Sequence, residues 1–180
     1  MTLSVVYVPD TGHVVAALAV TGGQAPDDVG VLVGLSIPLR VAIGGGETVE
    51  LTLLAAKLAG LAADDEPGVF ADPLAFGVDQ VTTADQQVVP RPTLLGLDPL
   101  TDPLTLDTSG LTVTVPRHDP AKDNPVLVLI SDGPDTLTVP WLLPKGDKTV
   151  TIPVSVDDGP HGVLVLVAGW AGTLQAVTKP

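Results

Sequence analysis

Apolar runs alternate with turn-forming residues along most of this chain, and that rhythm predicts strands. Leu3 to Val8 is rich in β-branched and aromatic residues, and His13 to Val20 is a second apolar run. The Pro9-Asp10-Thr11-Gly12 turn between them predicts a β-hairpin. Thr21 to Asp28 has loop composition. Val29 to Val33 and Leu35 to Ile43 are the next strand candidates, with Pro38 placing the second at a sheet edge or a bulge. Gly44-Gly45-Gly46 then breaks the chain. Glu47 to Ala63 carries two signals: Val49, Leu51 and Leu53 alternate, while Leu51, Leu54, Ala55, Leu58 and Leu61 repeat at helical spacing. A strand followed by an irregular or short helical piece fits both. Asp64 to Gly68 reads as a turn, and Val69 to Val78, with Pro73, as an extended segment.

Residues 79–103 are polar and then Pro-rich, with Pro90, Pro92, Pro99 and Pro103, so this stretch is the best linker candidate. The boundary falls in 95–103, between an N-terminal β-rich subdomain (1–95) and a C-terminal one (104–180), and proline stiffens the connection. The second half carries seven strand candidates: Leu104–Leu106, Leu111–Val115, Val126–Ile130, Thr136–Val139, Thr149–Val156, Val163–Val167 and Thr173–Thr178. Short strands at that spacing, bounded by Gly, Pro, Asp or Asn, predict an immunoglobulin-like β-sandwich. The fold class expected is therefore mostly β in two subdomains. Val126-Leu127-Val128-Leu129 with Thr136-Leu137 recurs 37 residues later as Val163-Leu164-Val165-Leu166 with Thr173-Leu174, which suggests two equivalent hairpins, one in each half of the sandwich. Continuous apolar runs of this kind suit strands covered on both faces, the second cover being the other subdomain or another subunit.

Composition narrows the function classes. Eight Lys and Arg against 21 Asp and Glu give a net charge of −13, which argues against nucleic acid, whose phosphates need cationic side chains, and against anionic membrane surfaces. The 45% hydrophobic content argues against disorder, and with 3% aromatic residues the core must be Val, Leu, Ile and Ala. With no Cys there is no disulfide, thiolate nucleophile or Cys zinc site. The N-terminus lacks a basic n-region, and no run reaches the roughly 18 apolar residues of a membrane helix. The expectation is a cytoplasmic product, or one released without a cleaved signal.

Few residues suggest chemistry. Asp10-Thr11-Gly12 follows an apolar strand, as in aspartic proteases, whose two carboxylates share one proton. The second near-match, Asp107-Thr108-Ser109-Gly110, is broken by the inserted Ser109, and a hairpin turn explains the first. His13, His118 and His161 each sit beside a turn without metal-ligand spacing, and read as surface histidines. The acidic loops Asp64-Asp65-Glu66, Asp132/Asp135 and Asp157-Asp158-Gly159 suit turn chemistry as well as calcium. No catalytic, cofactor or metal residue is assigned. Trp141, between Pro140 and Leu142, and Trp170, in a Gly-rich turn, are the candidate partner contacts, weighed against a core or corner-capping role.

The opening VVYVPDTGHVVAALAV resembles a hairpin of small structural or accessory proteins of phage-tail-like contractile injection systems of high-GC bacteria, a likeness covering about 18 residues. The second half resembles generic bacterial immunoglobulin-like modules. These resemblances imply a non-enzymatic structural or adaptor subunit whose partners are protein subunits, with no catalytic residues to carry over. The alternative is a carbohydrate or cell-surface binding module with Trp141 or Trp170 as its platform.

Overall fold

A computed structural model describes residues 2–63, 66–96, 104–117 and 121–180. The chain is mostly β, in several antiparallel sheets. In the first half, β1 (Thr2–Tyr7) pairs with β2 (Val14–Val20) across the expected hairpin turn. β3 (Ser36–Gly44) and β4 (Glu47–Leu54) form a second hairpin around the glycine run. A single 3₁₀ turn over Ala55–Lys57 leads to β5 (Ala59–Ala63), which pairs with the free side of β1. β6 (Phe76–Thr82) pairs with β7 (Val88–Leu94).

The second half holds β8 (Leu104–Asp107), β9 (Gly110–Thr114), β10 (Asn124–Asp132), β11 (Asp135–Leu143), β12 (Thr149–Ile152), β13 (Gly159–Val167) and β14 (Thr173–Lys179). Each of the seven expected strands has a counterpart, but the one expected over Thr149–Val156 ends at Ile152, before Pro153. They form a three-stranded sheet ordered β12-β9-β8 and a four-stranded sheet ordered β11-β10-β13-β14.

Several expectations for the first half are corrected. Val29–Val33 is a helical turn, α1, and not a strand. The Asp28 side chain accepts from the Val31 N–H at 3.1 Å, capping its start, and Gly34 at φ 68° ends it. Val29, Leu32 and Val33 then lie on one helical face and pack inward, while Val31 points out. The stretch 69–78 is not extended throughout. A short helix, α2 (Gly68–Ala71), and a 3₁₀ turn over Pro73–Ala75 precede β6. Residues 79–94 are hairpin rather than linker. Pro90 and Pro92 sit opposite Gln80 and Val78, two residues apart, so their missing N–H groups share one side of β7, the side turned away from β6. Residues 97–103, most of the expected boundary, lie outside the described residues, while Leu95 is held by its N–H to the Ala75 carbonyl at 2.8 Å.

The two echoing hairpins lie side by side in one sheet, not in opposite halves of a sandwich. Val128 and Val165, equivalent under the 37-residue offset, face each other across the β10–β13 ladder. The outer strands do not follow this symmetry. Leu137 pairs with Ile130, but Leu174 pairs with Leu164 and not with Val167. Gly133-Pro134 forms a two-residue turn, with Gly133 at φ 58° in the first central position as a type II′ hairpin requires, whereas 168–172 form a longer loop. Turn length sets register, so similar strand composition gave unlike hairpins.

Strand alternation organises the core. Val126, Val128, Ile130, Val163, Val165 and Val167 face the β12-β9-β8 sheet and join Leu111, Val113 and Ile152 in one buried cluster. Leu127, Leu129, Leu164 and Leu166 face the other way, onto Val6, Val8, Val15, Val41, Leu51 and Leu53 of the first half. β-Branched residues thus serve one face of β10–β13 and leucines the other. β1 repeats the device: Val6 and Val8 join the leucine layer, while Leu3 and Val5 pack with Val69, Ala75 and Phe76 on its far side. Gly162 lets the β3–β4 hairpin approach β13, since a Cβ there would lie 2.6 Å from Val49 Cγ2. The Thr52 N–H also donates to Thr136 Oγ1 at 2.8 Å, tying β4 to β11.

Leu129→Ala should therefore cost about 2–5 kcal/mol, because it opens a cavity between two rigid layers. Leu35→Ala, at a side chain 90% exposed, should change stability by about 0.5 kcal/mol or less. Urea unfolding of both variants checks the contrast.

Candidate functional site

The β1–β2 turn carries Asp10-Thr11-Gly12, the motif expected to be a hairpin turn. It is pinned by Gly12 N–H to Val8 O at 2.7 Å, Val8 N–H to His13 O at 2.8 Å and Val78 N–H to Gly12 O at 2.8 Å. Asp10 is exposed at its tip, while Thr11 and His13 turn inward and are buried. Asp107 lies in a different turn, between β8 and β9, where its carboxylate accepts the Ser109 N–H at 2.7 Å.

His13 is not a surface histidine, as its neighbouring turn suggested, but is fully buried. Its Nε2–H donates to the Trp170 carbonyl at 2.7 Å, and the unprotonated Nδ1 accepts from Thr11 Oγ1 at 3.0 Å. Burial lowers its pKa from 6.5 to about 4, against the opposing pull of the Trp170 and Thr11 backbone. The neutral ring is thus a strut between the first hairpin and the β13–β14 loop. That loop is further held by Gly172 N–H to Leu74 O at 2.7 Å.

His161 is likewise buried, and its ring nitrogens contact the backbone carbonyls of Ser131 (2.7 Å) and Asp157 (2.8 Å). Ser131 Oγ accepts the Gly162 N–H at 3.0 Å, so this ring clamps the end of β10 to the start of β13. Lys179 Nζ donates to Val156 O at 2.6 Å and pairs with Asp158 at 3.0 Å. Asp132 and Asp135 form the last rung of the β10–β11 hairpin. His118 and the Asp64-Asp65 pair lie outside the described residues. Among the described residues no group of three or more His, Asp or Glu is placed to hold a metal ion, and no helix is long and apolar enough to cross a membrane.

The two tryptophans occupy different settings. Trp170 is half-buried against the Val-rich core. Trp141 is 39% exposed on β11, beside Leu142 at 54%. Next to them an open groove of about 700 Å³ is lined by Asp10, Pro125, Leu127, Pro140 and Leu142, with Val126 and Trp141 completing the wall. Cross-strand pairing explains its apolar character. Pro125 is opposite Leu142 and Leu127 opposite Pro140, so these four residues form a patch on the leucine face of the sheet. The first half covers that face at Leu127 and Leu129 but leaves Pro140 and Leu142 exposed beyond the Asp10 turn. Trp141 pairs with Val126 and belongs to the opposite face by alternation. The groove was not visible in the sequence, since its acidic and apolar walls come from residues more than a hundred positions apart.

β11 also has a free edge. Among the described residues its ladder partner is β10 alone. The Asp132–Asp135 rung closes a two-residue turn and is hydrogen-bonded, so alternate positions Thr136, Thr138, Pro140 and Leu142 direct their main-chain groups away from β10. Pro140, which has no N–H to give, occupies one of these positions, as that parity demands.

No protein-family model matches the chain, and neither a curated protein nor a solved structure matches it.

The burial of His13 has a pH signature. The unfolded ring takes up a proton below pH 6.5, and the folded ring not until about 4. Stability supplied by the neutral ring is thus complete above pH 6.5 and is lost as pH falls toward 4, by about 3 kcal/mol in all. Urea melts from pH 7 to 4 should show His13→Gln losing less stability than the parent across this window. Parallel profiles would count against the strut.

Proposed function

We propose that this chain is a non-enzymatic structural or adaptor subunit of a larger protein assembly, and that it joins its partners through β11 and the adjoining groove. The observation that carries the reading is a nine-residue strand whose outer edge has no ladder partner among the described residues, beside exposed apolar side chains. Monomeric domains cover, shorten or charge such edges or interrupt them with proline, because bare ones template pairing with another chain; Pro140 removes one outward N–H here and leaves those of Thr138 and Leu142. Here Thr136 is bound by β4, whereas the Trp141 end lies open.

The fold reading that accompanies this is an immunoglobulin-like sandwich for β8–β14. Its support is strand order. The first, second and fifth strands form one sheet, and the fourth, third, sixth and seventh, in that order, form the other. This is the order of immunoglobulin-type modules with the fourth strand moved from the first sheet to the edge of the second, beside the third strand. Such modules commonly serve as rigid spacers and docking units. A phage-tail-like contractile particle is the assembly that the opening hairpin suggests, with the subunit made in the cytoplasm. The acidic surface supports protein partners over nucleic acid.

Light scattering of the purified chain, together with co-purification from its native operon, tests the reading. A defined oligomer or a stoichiometric partner is expected. Leu142→Asp should leave stability within about 0.5 kcal/mol and abolish that association. A strict monomer that retains no partner would contradict the proposal. Glycan-array binding lost in Trp141→Ala would favour the carbohydrate module instead, to which the exposure of Trp141 lends some support.

A further inference from the structure

We infer that the groove accepts an extended segment of a different protein, apolar at alternate residues and carrying a Lys or Arg, which adds to β11 as a fifth strand and pairs with Asp10. This inference rests on the assembly reading above and specifies the chemistry of the partner.

Three observations converge on this occupant. The N–H groups of Thr138 and Leu142 and the carbonyls of Thr138, Pro140 and Leu142 point outward along the free edge of β11. An added strand would satisfy them, and main-chain hydrogen bonds would then supply affinity independent of sequence. Side chains alternate across a strand, so every second residue of the guest would stand beside Pro140 and Leu142 on the leucine face, with Pro125 one strand further in. That patch continues the leucine face already buried by β3 and β4, and the guest would extend the same apolar layer. Among the described lining residues the one charged side chain is Asp10, in a protein of net charge −13.

The charge discriminates between guests. A second copy of this chain would set −13 against −13, with only eight basic residues among 180 to offset it. An acidic segment would meet the same field. A basic one is steered by it and gains an ion pair at the rim. A sugar needs several polar partners to replace its water, and this groove offers one carboxylate among carbon atoms.

Panning a phage-displayed random dodecapeptide library on the full-length protein tests the inference. Enriched peptides should alternate apolar residues and include Lys or Arg. Asp10→Lys should remove the preference for Lys or Arg, and Thr138→Pro, which removes an outward N–H, should abolish enrichment with an unchanged melting temperature. A synthetic peptide of the enriched sequence should bind Asp10→Asn about two- to fivefold more weakly than the parent, the scale of an exposed ion pair. Added salt should weaken binding to the parent more than to Asp10→Asn. No enrichment, enrichment without charge preference, or peptides indifferent to both substitutions would overturn the inference. So would a homodimer broken by Thr138→Pro, which would make a second copy the occupant. A chain that co-purifies with a partner yet enriches no basic peptides keeps the assembly reading and loses this one, and a chain that enriches them but joins no assembly does the reverse.

Discussion

Two adjacent strands, β10 and β13, are buried on both faces, and the rest of the molecule is arranged to provide those two covers. The constraint arises in the residues 126–130 and 163–167, which contain no polar side chain. A strand with one wet face alternates apolar with polar residues. These strands alternate β-branched residues with leucine instead, and each class has its own neighbour. The valines and Ile130 fit against a second sheet of the same half. The leucines, longer and more flexible, fill the space beneath β3, β4 and β1. The two halves therefore share an apolar layer, and polar struts cross the same boundary: Thr52 to Thr136, His13 to the Trp170 carbonyl, and Gly172 to Leu74.

That arrangement also explains where the candidate site lies. The leucine face is longer than the cover the first half provides. Where the β1–β2 turn ends at Asp10, the face continues through Pro125, Pro140 and Leu142 along an edge strand. A groove with apolar sides and one acidic lip is what remains. Its position follows from the core, which makes it a fixed surface on rigid strands rather than a loop-built one.

The second half was largely legible in the sequence because its strands are long apolar alternations separated by Gly, Pro and Asp turns. The first half was less so. Val29–Val33 has strand-like composition, and only the Asp28 cap and Gly34 stop make it helical. β5 is Ala-Gly-Leu-Ala-Ala, a weak strand former held by pairing with β1, and no local signal marks it. The prolines of β7 read as a linker because their tolerance at an edge depends on which way each N–H points. The burial of His13 is decided by a carbonyl 157 residues away, and the groove by a turn and a hairpin that only folding brings together. Of the two tryptophans singled out, Trp170 packs against the core and Trp141 stands at the groove, a division set by sheet position and not by residue type.

Native-state hydrogen exchange on the intact chain tests the shared core most directly. The amides of 126–130 and 163–167 should exchange only through global unfolding, and those of Leu51 and Leu53 in β4 should exchange with the same free energy, because removing one cover exposes the leucine face. If β4 instead opens at much lower free energy while β10 and β13 stay protected, the two halves do not depend on one another, and the central claim is wrong.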